Sequence, residues 1–319
     1  MQFFTKVPIF TTTNPINYQS KIILIGSCFA ENISAKFQYY KFQHTDNPFG
    51  IIFNPISLEK LIQRATEKKQ FTEADIFFHD ERWHCFEVHS ELSHPNKDLY
   101  LQNLNSTLAF LYKEIGTATH FIITLGTSWV YKTIINAEVV ANCHKVPQKE
   151  FSKHLLSTVE ISESLFNIVN LVHSINPSCS FIATVSPVRH LKDGFFENQT
   201  SKSHLIAAVF DLIRVKKLEL NYFPSFEIMM DELRDYRFYS ADLLHPNTTA
   251  IDYIWSRFAE NYIEQSSHNV MSQIELIQKS LQHKPFNAAS TSHQKFLKNL
   301  NKKIEKLQSD NPFITFLNK

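Results

Sequence analysis

Glycine is nearly missing: the 319 residues hold only five, where average usage of about 7% gives roughly four times as many. Each glycine that is kept therefore marks a backbone need. Charge of one sign is missing too. With 32 Lys and Arg against 31 Asp and Glu, no large field exists to hold phosphate backbones or an anionic membrane, which excludes nucleic acid as an expected partner. Nowhere do about 18 apolar residues run uninterrupted, and the start of the chain lacks a basic stretch followed by an apolar core. A soluble, cytoplasmic protein without a membrane partner is expected. Cys28, Cys85, Cys143 and Cys179 are widely spaced and form no CxxC pair, which excludes a zinc knuckle or redox dithiol and leaves free thiols.

What is present is apolar material, 43% hydrophobic and 13% aromatic, enough to bury the core of one large domain or of a domain with an appendage. Short β-branched runs at 21–25 (KIILI), 120–125 (HFIITL) and 181–185 (FIATV) have the composition of strands buried on both faces of a parallel sheet. Segments around 57–67, 98–115 and 159–175 carry helical periodicity. Strands alternating with helices predict an α/β doubly wound sheet whose ligands bind beyond the carboxyl ends of the strands. Gly26, Gly50 and Gly126 all fall at that edge, while Gly116 and Gly194 read as loop or helix-end glycines.

The stretch 78–96 alternates aromatic and polar residues and predicts an inserted hairpin or lid. After residue 265 two amphipathic stretches, SQIELIQKSLQHKPF and SHQKFLKNLNKKIEKLQ, predict a C-terminal helical extension over 266–319 beside a main domain over 1–265. Such faces need a surface to cover, and assembly into a homo-oligomer would provide one.

Candidate chemistry begins at LIGSCFAEN, residues 24–32. A strand, a glycine, two short polar residues and a helix make an elbow whose N-terminal N–H groups can stabilise an anion. Ser27 and Cys28 are both candidate nucleophiles there. Equally, Ser27 can cap the helix while Cys28 packs as a small apolar residue. A partner occurs in YSADLLHPNTTAIDYIWSRF, where Asp242 and His245 precede Pro246 and an amphipathic helix. His245 could take a proton from the nucleophile while Asp242 orients the imidazole.

The residues GSCFA at 26–30, with NPFGIIFNP, LGTSW, ANCHKVP, SPVRH, DLLHPN and HKPF further along, resemble the bacterial GSCFA family, which is similar to a branch of the SGNH (GDSL-type) hydrolases. The resemblance implies a flavodoxin-like sheet and four separated sequence blocks, and an ester-hydrolysing or acyl-transferring activity, with O-acylated carbohydrate among the substrates it suggests. Laid over the Gly-Asp-Ser block, Gly26, Ser27 and Cys28 put Cys28 on the nucleophile position. The second block falls on Gly50, with Asn47 and Asn54 as nearby amides. The third, Gly-x-Asn-Asp, reads Gly126, Thr127, Ser128, Trp129 here, so Thr127 or Ser128 would have to replace the missing amide donor. Asn142, His144, Lys145, Arg189 and His190 follow or flank proposed strands and are candidate substrate contacts. His84, His89 and His94 lack paired ligands at metal-binding spacing, so neither metal nor cofactor is expected. Beside the hydrolase stand two other readings, a non-catalytic ligand-binding protein on the same fold and an assembly protein using its C-terminal helices.

Overall fold

The computed structural model describes residues 4–216 and 218–316. Its strands are β1 (Lys21–Gly26), β2 (Gln43–Asp46), β3 (Phe77–His79), β4 (Arg82–His84), β5 (His120–Leu125), β6 (Trp129–Thr133), β7 (Val139–Val140), β8 (Phe151–Leu155), β9 (Ser180–Val185) and β10 (Leu220–Phe223). Its α-helices are α1 (Cys28–Tyr39), α2 (Pro55–Thr66), α3 (Lys97–Thr117), α4 (Thr158–His173), α5 (Phe195–Arg214), the single turn α6 (Ser225–Glu227), α7 (Thr248–Tyr262), α8 (Gln265–Leu281) and α9 (Thr291–Asp310).

Five strands form one parallel sheet in the order β10-β9-β5-β1-β2. This is the doubly wound, flavodoxin-like order, whose switch point lies where β1 has β2 on one side and β5 on the other. The carboxyl ends of β1 and β5 thus open the crevice where such folds bind ligands. Both faces are covered, which is why the strands read as unbroken apolar runs. Ile23, Ile25, Phe121, Ile123, Phe181 and Ala183 pack against α2 to α5, whereas Ile22, Leu24, Ile122 and Ile182 pack against α1, α7, α8 and α9.

The three expected helices are α2, α3 and α4, with ends shifted by a residue or two. Asn54 caps α2, accepting from Ser57 N at 2.9 Å with Pro55 behind it, so its role is to start a helix rather than to donate near the elbow. The periodicity did not reveal β2, whose sequence QHTD is half exposed at the sheet edge, or β10, or the small antiparallel sheet β7-β6-β8. Edge strands and small satellite sheets bury too little on one face to imprint a period.

The 78–96 insertion contains the β3–β4 hairpin and a 3-10 turn at Ser90–Leu92. It is anchored rather than free: Cys85 and Val88 are buried in the core, and His89 N donates to Phe49 O. The apolar stripes of α8 and α9, with Met271, Ile274, Ile277, Leu300 and Leu307, join Phe37 of α1 and Trp255 of α7 in one core. The surface these helices need is therefore supplied within the chain. Among the described residues no helix is long and apolar enough to cross a membrane.

Candidate active site

Gly26 ends β1 with φ +131°, and a Cβ there would lie 2.0 Å from Thr124 O. Only glycine lets the chain leave the sheet this close to β5. Ser27 N then donates to Thr124 O at 2.9 Å, which turns Ser27 inward. Its side chain is fully buried and Oγ has no hydrogen-bond partner, nor does it cap α1. Cys28 begins α1 and is half-buried. Burial pushes its thiol above the ordinary range and Glu31 adds to this, while Lys202 and the N–H groups of Cys28 and Phe29 pull the other way.

Asp242 and His245 are held in a closed loop. Asp242 Oδ1 accepts from Leu244 N at 2.9 Å and His245 N at 3.0 Å, and Oδ2 receives His245 Nδ1 at 2.6 Å. These donors pull the Asp242 carboxyl down to about 2, so it stays ionised and fixes the imidazole with Nε2 as the end able to exchange a proton. Leu243 adopts φ +59° to make the turn, and Ser240 N closes it on His245 O at 2.7 Å. Arg189 N donates to Leu244 O at 3.1 Å, tying the loop to the carboxyl end of β9. The Arg189 guanidinium stacks on Phe195, Tyr236 and Tyr239 and borders a depression of about 250 Å³ with Met229 and Arg234.

Between the elbow and this loop lie His190 and Lys202. The His190 ring stands edge-on to Phe53 at 5.5 Å, its Nε2 is buried without a partner, and burial, then Lys202 and His245, push it down to about 3. It is therefore a neutral imidazole. Lys202 is completely buried on α5, its Nζ donating to Gly126 O and Ser186 O at 2.7 Å each. Sequence reasoning missed it, although a signal existed: Lys202 falls on the apolar stripe of α5 with Leu205, Val209 and Leu212.

Gly26 and Gly126 adjoin the same turn, and Gly50 is joined to it through Asn47, which accepts from both Gly26 N and Gly50 N. Ile52 N donates to Gly26 O at 2.9 Å, and a Cβ on Gly126 would lie 3.2 Å from that of Ser27. Their N–H groups, however, are engaged. Gly50 N donates to Asn47 O at 2.7 Å, Gly126 N to Phe53 O at 2.9 Å and Thr127 N to Phe53 O at 3.3 Å. Thr127 Oγ1 lies 2.9 Å from Ser201 Oγ, which also accepts from Ser128 N, and Ser128 Oγ donates to Ser201 O. Thr127 and Ser128 thus fasten α5 to the sheet edge instead of replacing the missing amide. Asn47 Oδ1 accepts from Gly26 N at 2.8 Å, with Glu31 beside it, so this amide braces the elbow.

His144 belongs elsewhere. It is buried against the hairpin, with Nδ1 3.2 Å from His84 Nδ1 and Nε2 2.7 Å from Cys85 O. Asn142 accepts from His144 N, and with Lys145 it borders a separate cavity of about 350 Å³. His89 lies over Gly50 and His94 turns to Asn96, so the three hairpin histidines do not converge. Among the described residues no group of three or more His, Cys, Asp or Glu is placed to hold a metal.

Among curated proteins none matches this sequence. Solved structures similar to it include a carbohydrate esterase family 3 protein from Talaromyces cellulolyticus, at TM-score 0.35 and 8% identity over 81% of this chain and 99% of that one. An acetyl esterase mutant with acetate ion is similar at TM-score 0.33 and 9% identity, over 81% of this chain and 100% of the other. An acetyl xylan esterase from the rumen bacterium Butyrivibrio proteoclasticus is similar at TM-score 0.36 and 8% identity, over 87% and 66%. The GSCFA domain protein C-terminal domain model matches residues 274–319. The elbow that the family is named for and the Asp-x-x-His loop both lie within residues 21–258, which match the GSCFA family model, and the chain belongs to the GSCFA family.

Proposed function

We propose that this protein is an acyl hydrolase or acyltransferase that works on an ester of a small molecule or carbohydrate, with Cys28 as nucleophile and the Asp242–His245 pair as the acid–base group that serves the leaving group and the attacking water. The observation that carries the reading is the 2.6 Å bond from His245 Nδ1 to the ionised Asp242, in a loop fastened to the sheet edge that presents the elbow. Ser27 is the weaker nucleophile because its hydroxyl is sealed from solvent, whereas Cys28 is half-buried at the start of a helix whose N–H groups favour an anion. The substrate is taken as soluble and met in the cytoplasm, and the Arg189 depression beside the loop is its candidate binding surface.

The test is acylation itself. On mixing with p-nitrophenyl acetate or an acetylated sugar, intact-mass analysis should show one acetyl adduct, mapped to Cys28 and absent from Cys28→Ala. A second reading, ligand binding without turnover, is favoured by the engaged N–H groups of Gly50, Gly126 and Thr127, which leave the oxyanion to the start of α1 and to Asn47 Nδ2, buried without a partner. Sugar esters that bind without forming an adduct would establish that reading.

A further inference from the structure

Two imidazoles face each other under the hairpin with no proton to share. His84 Nε2 meets His79 O at 2.9 Å and His144 Nε2 meets Cys85 O at 2.7 Å. A carbonyl oxygen only accepts, so both Nε2 atoms carry a proton and, while the rings are neutral, both Nδ1 atoms are bare lone pairs. Those two Nδ1 atoms lie 3.2 Å apart. The rings are held neutral by burial, His84 being 6% and His144 3% exposed, because a buried cation without a counter-ion is disfavoured. Ser93 Oγ, 2.7 Å from His84 Nδ1, can donate its one proton to that nitrogen, which leaves His144 Nδ1 without a donor. His144 and Lys145 also adopt left-handed backbone, φ +48° and +60°, a conformation unfavourable for a residue with a Cβ. This backbone turns His144 inward from the loop after β7 to meet His84 at the end of β4.

We propose that His84 Nδ1 and His144 Nδ1 together bind a divalent transition-metal ion of the zinc kind, which fastens the hairpin to the loop after β7. Two Zn–N bonds of about 2.0–2.1 Å at a tetrahedral angle set their nitrogens about 3.3 Å apart, and the two bare nitrogens are 3.2 Å apart. The ring centroids are 4.8 Å apart, with the rings tilted by 49°. That is closer than two rings meeting in line at this nitrogen separation, so the nitrogens approach at an angle, as ligands of one ion do and partners across a shared proton do not. Each Nε2–H already donates to a backbone carbonyl, the contact that fixes the tautomer and orientation of a metal-bound histidine. Phe77 packs on both rings and Phe86 on that of His144, which limits their rotation.

The pair borders the 350 Å³ cavity whose wall also carries Asp80, Glu91, Arg82 and Lys145. Among the described residues no third His, Cys, Asp or Glu is placed to join the two nitrogens, so the remaining positions on the ion fall to water from the cavity, as at an open site. Asp80 and Glu91 offset the charge of the ion, and Arg82 and Lys145 oppose them, which makes this a weaker site than a closed four-ligand one. With the ion in place all four ring nitrogens of the pair are engaged. The spacing of His84, His89 and His94 along the hairpin carries no sign of the site, because the second ligand comes from 60 positions away. Neither Cys28 nor the Asp242–His245 pair takes part, so this inference stands or falls apart from the ester chemistry proposed above.

Zinc titration of the full chain is the test. Calorimetry with zinc chloride near neutral pH should show one ion bound per chain. His84→Gln and His144→Gln should each weaken that binding by more than about tenfold, while His94→Gln, on the same hairpin, should leave it unchanged. Folded His84→Gln and His144→Gln proteins that bind as the wild type does overturn the proposal, as does a wild type that takes up no zinc at millimolar concentration. Should either variant fail to fold, nitrogen NMR of the imidazoles in the wild type decides. One equivalent of zinc should move the Nδ1 resonances of His84 and His144 and leave their Nε2 atoms protonated. Shifts confined to other histidines mean adventitious surface binding and overturn the site, and so does a proton shared between the two Nδ1 atoms that zinc does not displace.

Discussion

Two clusters of buried polar side chains differ in how they are closed. Under the hairpin, His84 Nδ1 meets Ser93 Oγ at 2.7 Å, its Nε2 meets His79 O at 2.9 Å, and His144 meets Cys85 O. Both Nε2 atoms there donate to backbone carbonyls, and His84 Nδ1 meets a serine hydroxyl. At the elbow, Ser27 Oγ and His190 Nε2 have none, and Lys202 has carbonyls but no carboxylate. A buried polar atom left unpaired costs about 1–3 kcal/mol, so the elbow is maintained against stability while the hairpin cluster contributes to it. Such open valences gather where groups must change partner or charge. On the proposed function, the comparison sets a structural cluster beside the one proposed to do chemistry, although both are built from histidines, serines and cysteines.

The largest effect expected from this difference is on turnover. Cys28→Ala should lower the rate of acyl-ester cleavage by about 10³-fold or more, whereas Ser27→Ala should retain most of it, since a sealed hydroxyl meets no substrate. Steady-state rates with p-nitrophenyl esters check this, and the reverse pattern would move the nucleophile to Ser27. His144→Gln, in the closed cluster, should leave the rate near wild type; a loss as large as that of Cys28→Ala would erase the distinction.

The backbone offers a second contrast, read as stability in denaturant. Gly26→Ala forces a methyl to within 2.0 Å of Thr124 O at φ +131° and should cost about 3 kcal/mol. Gly116→Ala, in α3 with its nearest neighbour atom 3.9 Å away, should instead stabilise the fold by up to about 1 kcal/mol. Equal effects would mean that the elbow is no tighter than an ordinary helix end.

Acid should reveal the closed cluster most gently. Burial pushes His144 down to about 4, so the folded state binds its proton less readily than the unfolded chain, where the imidazole titrates near 6.5. Stability from this group is present above pH 6.5 and is lost as the pH falls towards 4, by about 2 kcal/mol at pH 4.5. His190, down to about 3, works in the same direction. Urea midpoints between pH 7 and 4.5 should decline less steeply in His144→Gln than in wild type, and parallel declines would remove His144 as a cause.

The sequence by itself determined the parallel core and the edge at which chemistry is placed. Unbroken apolar runs can be buried only on two faces, and in a chain with five glycines the ones at 26, 50 and 126 had to sit where the backbone turns tightly or strands approach. It also determined the candidate pairing of Asp242 with His245, because a three-residue spacing before a helix lets one loop carry both. Tertiary structure alone decided which donors were free. Gly50, Gly126, Thr127 and Ser128 looked available as residue types, but their groups are spent on Asn47, Phe53 and Ser201. It also decided that His144 pairs with His84, 60 positions away, and that Lys202, from a helix far along the chain, is buried against Gly126 O and Ser186 O. Hydrogen-bond partners and burial depend on which distant segments the sheet order brings side by side, and local periodicity carries no record of that order.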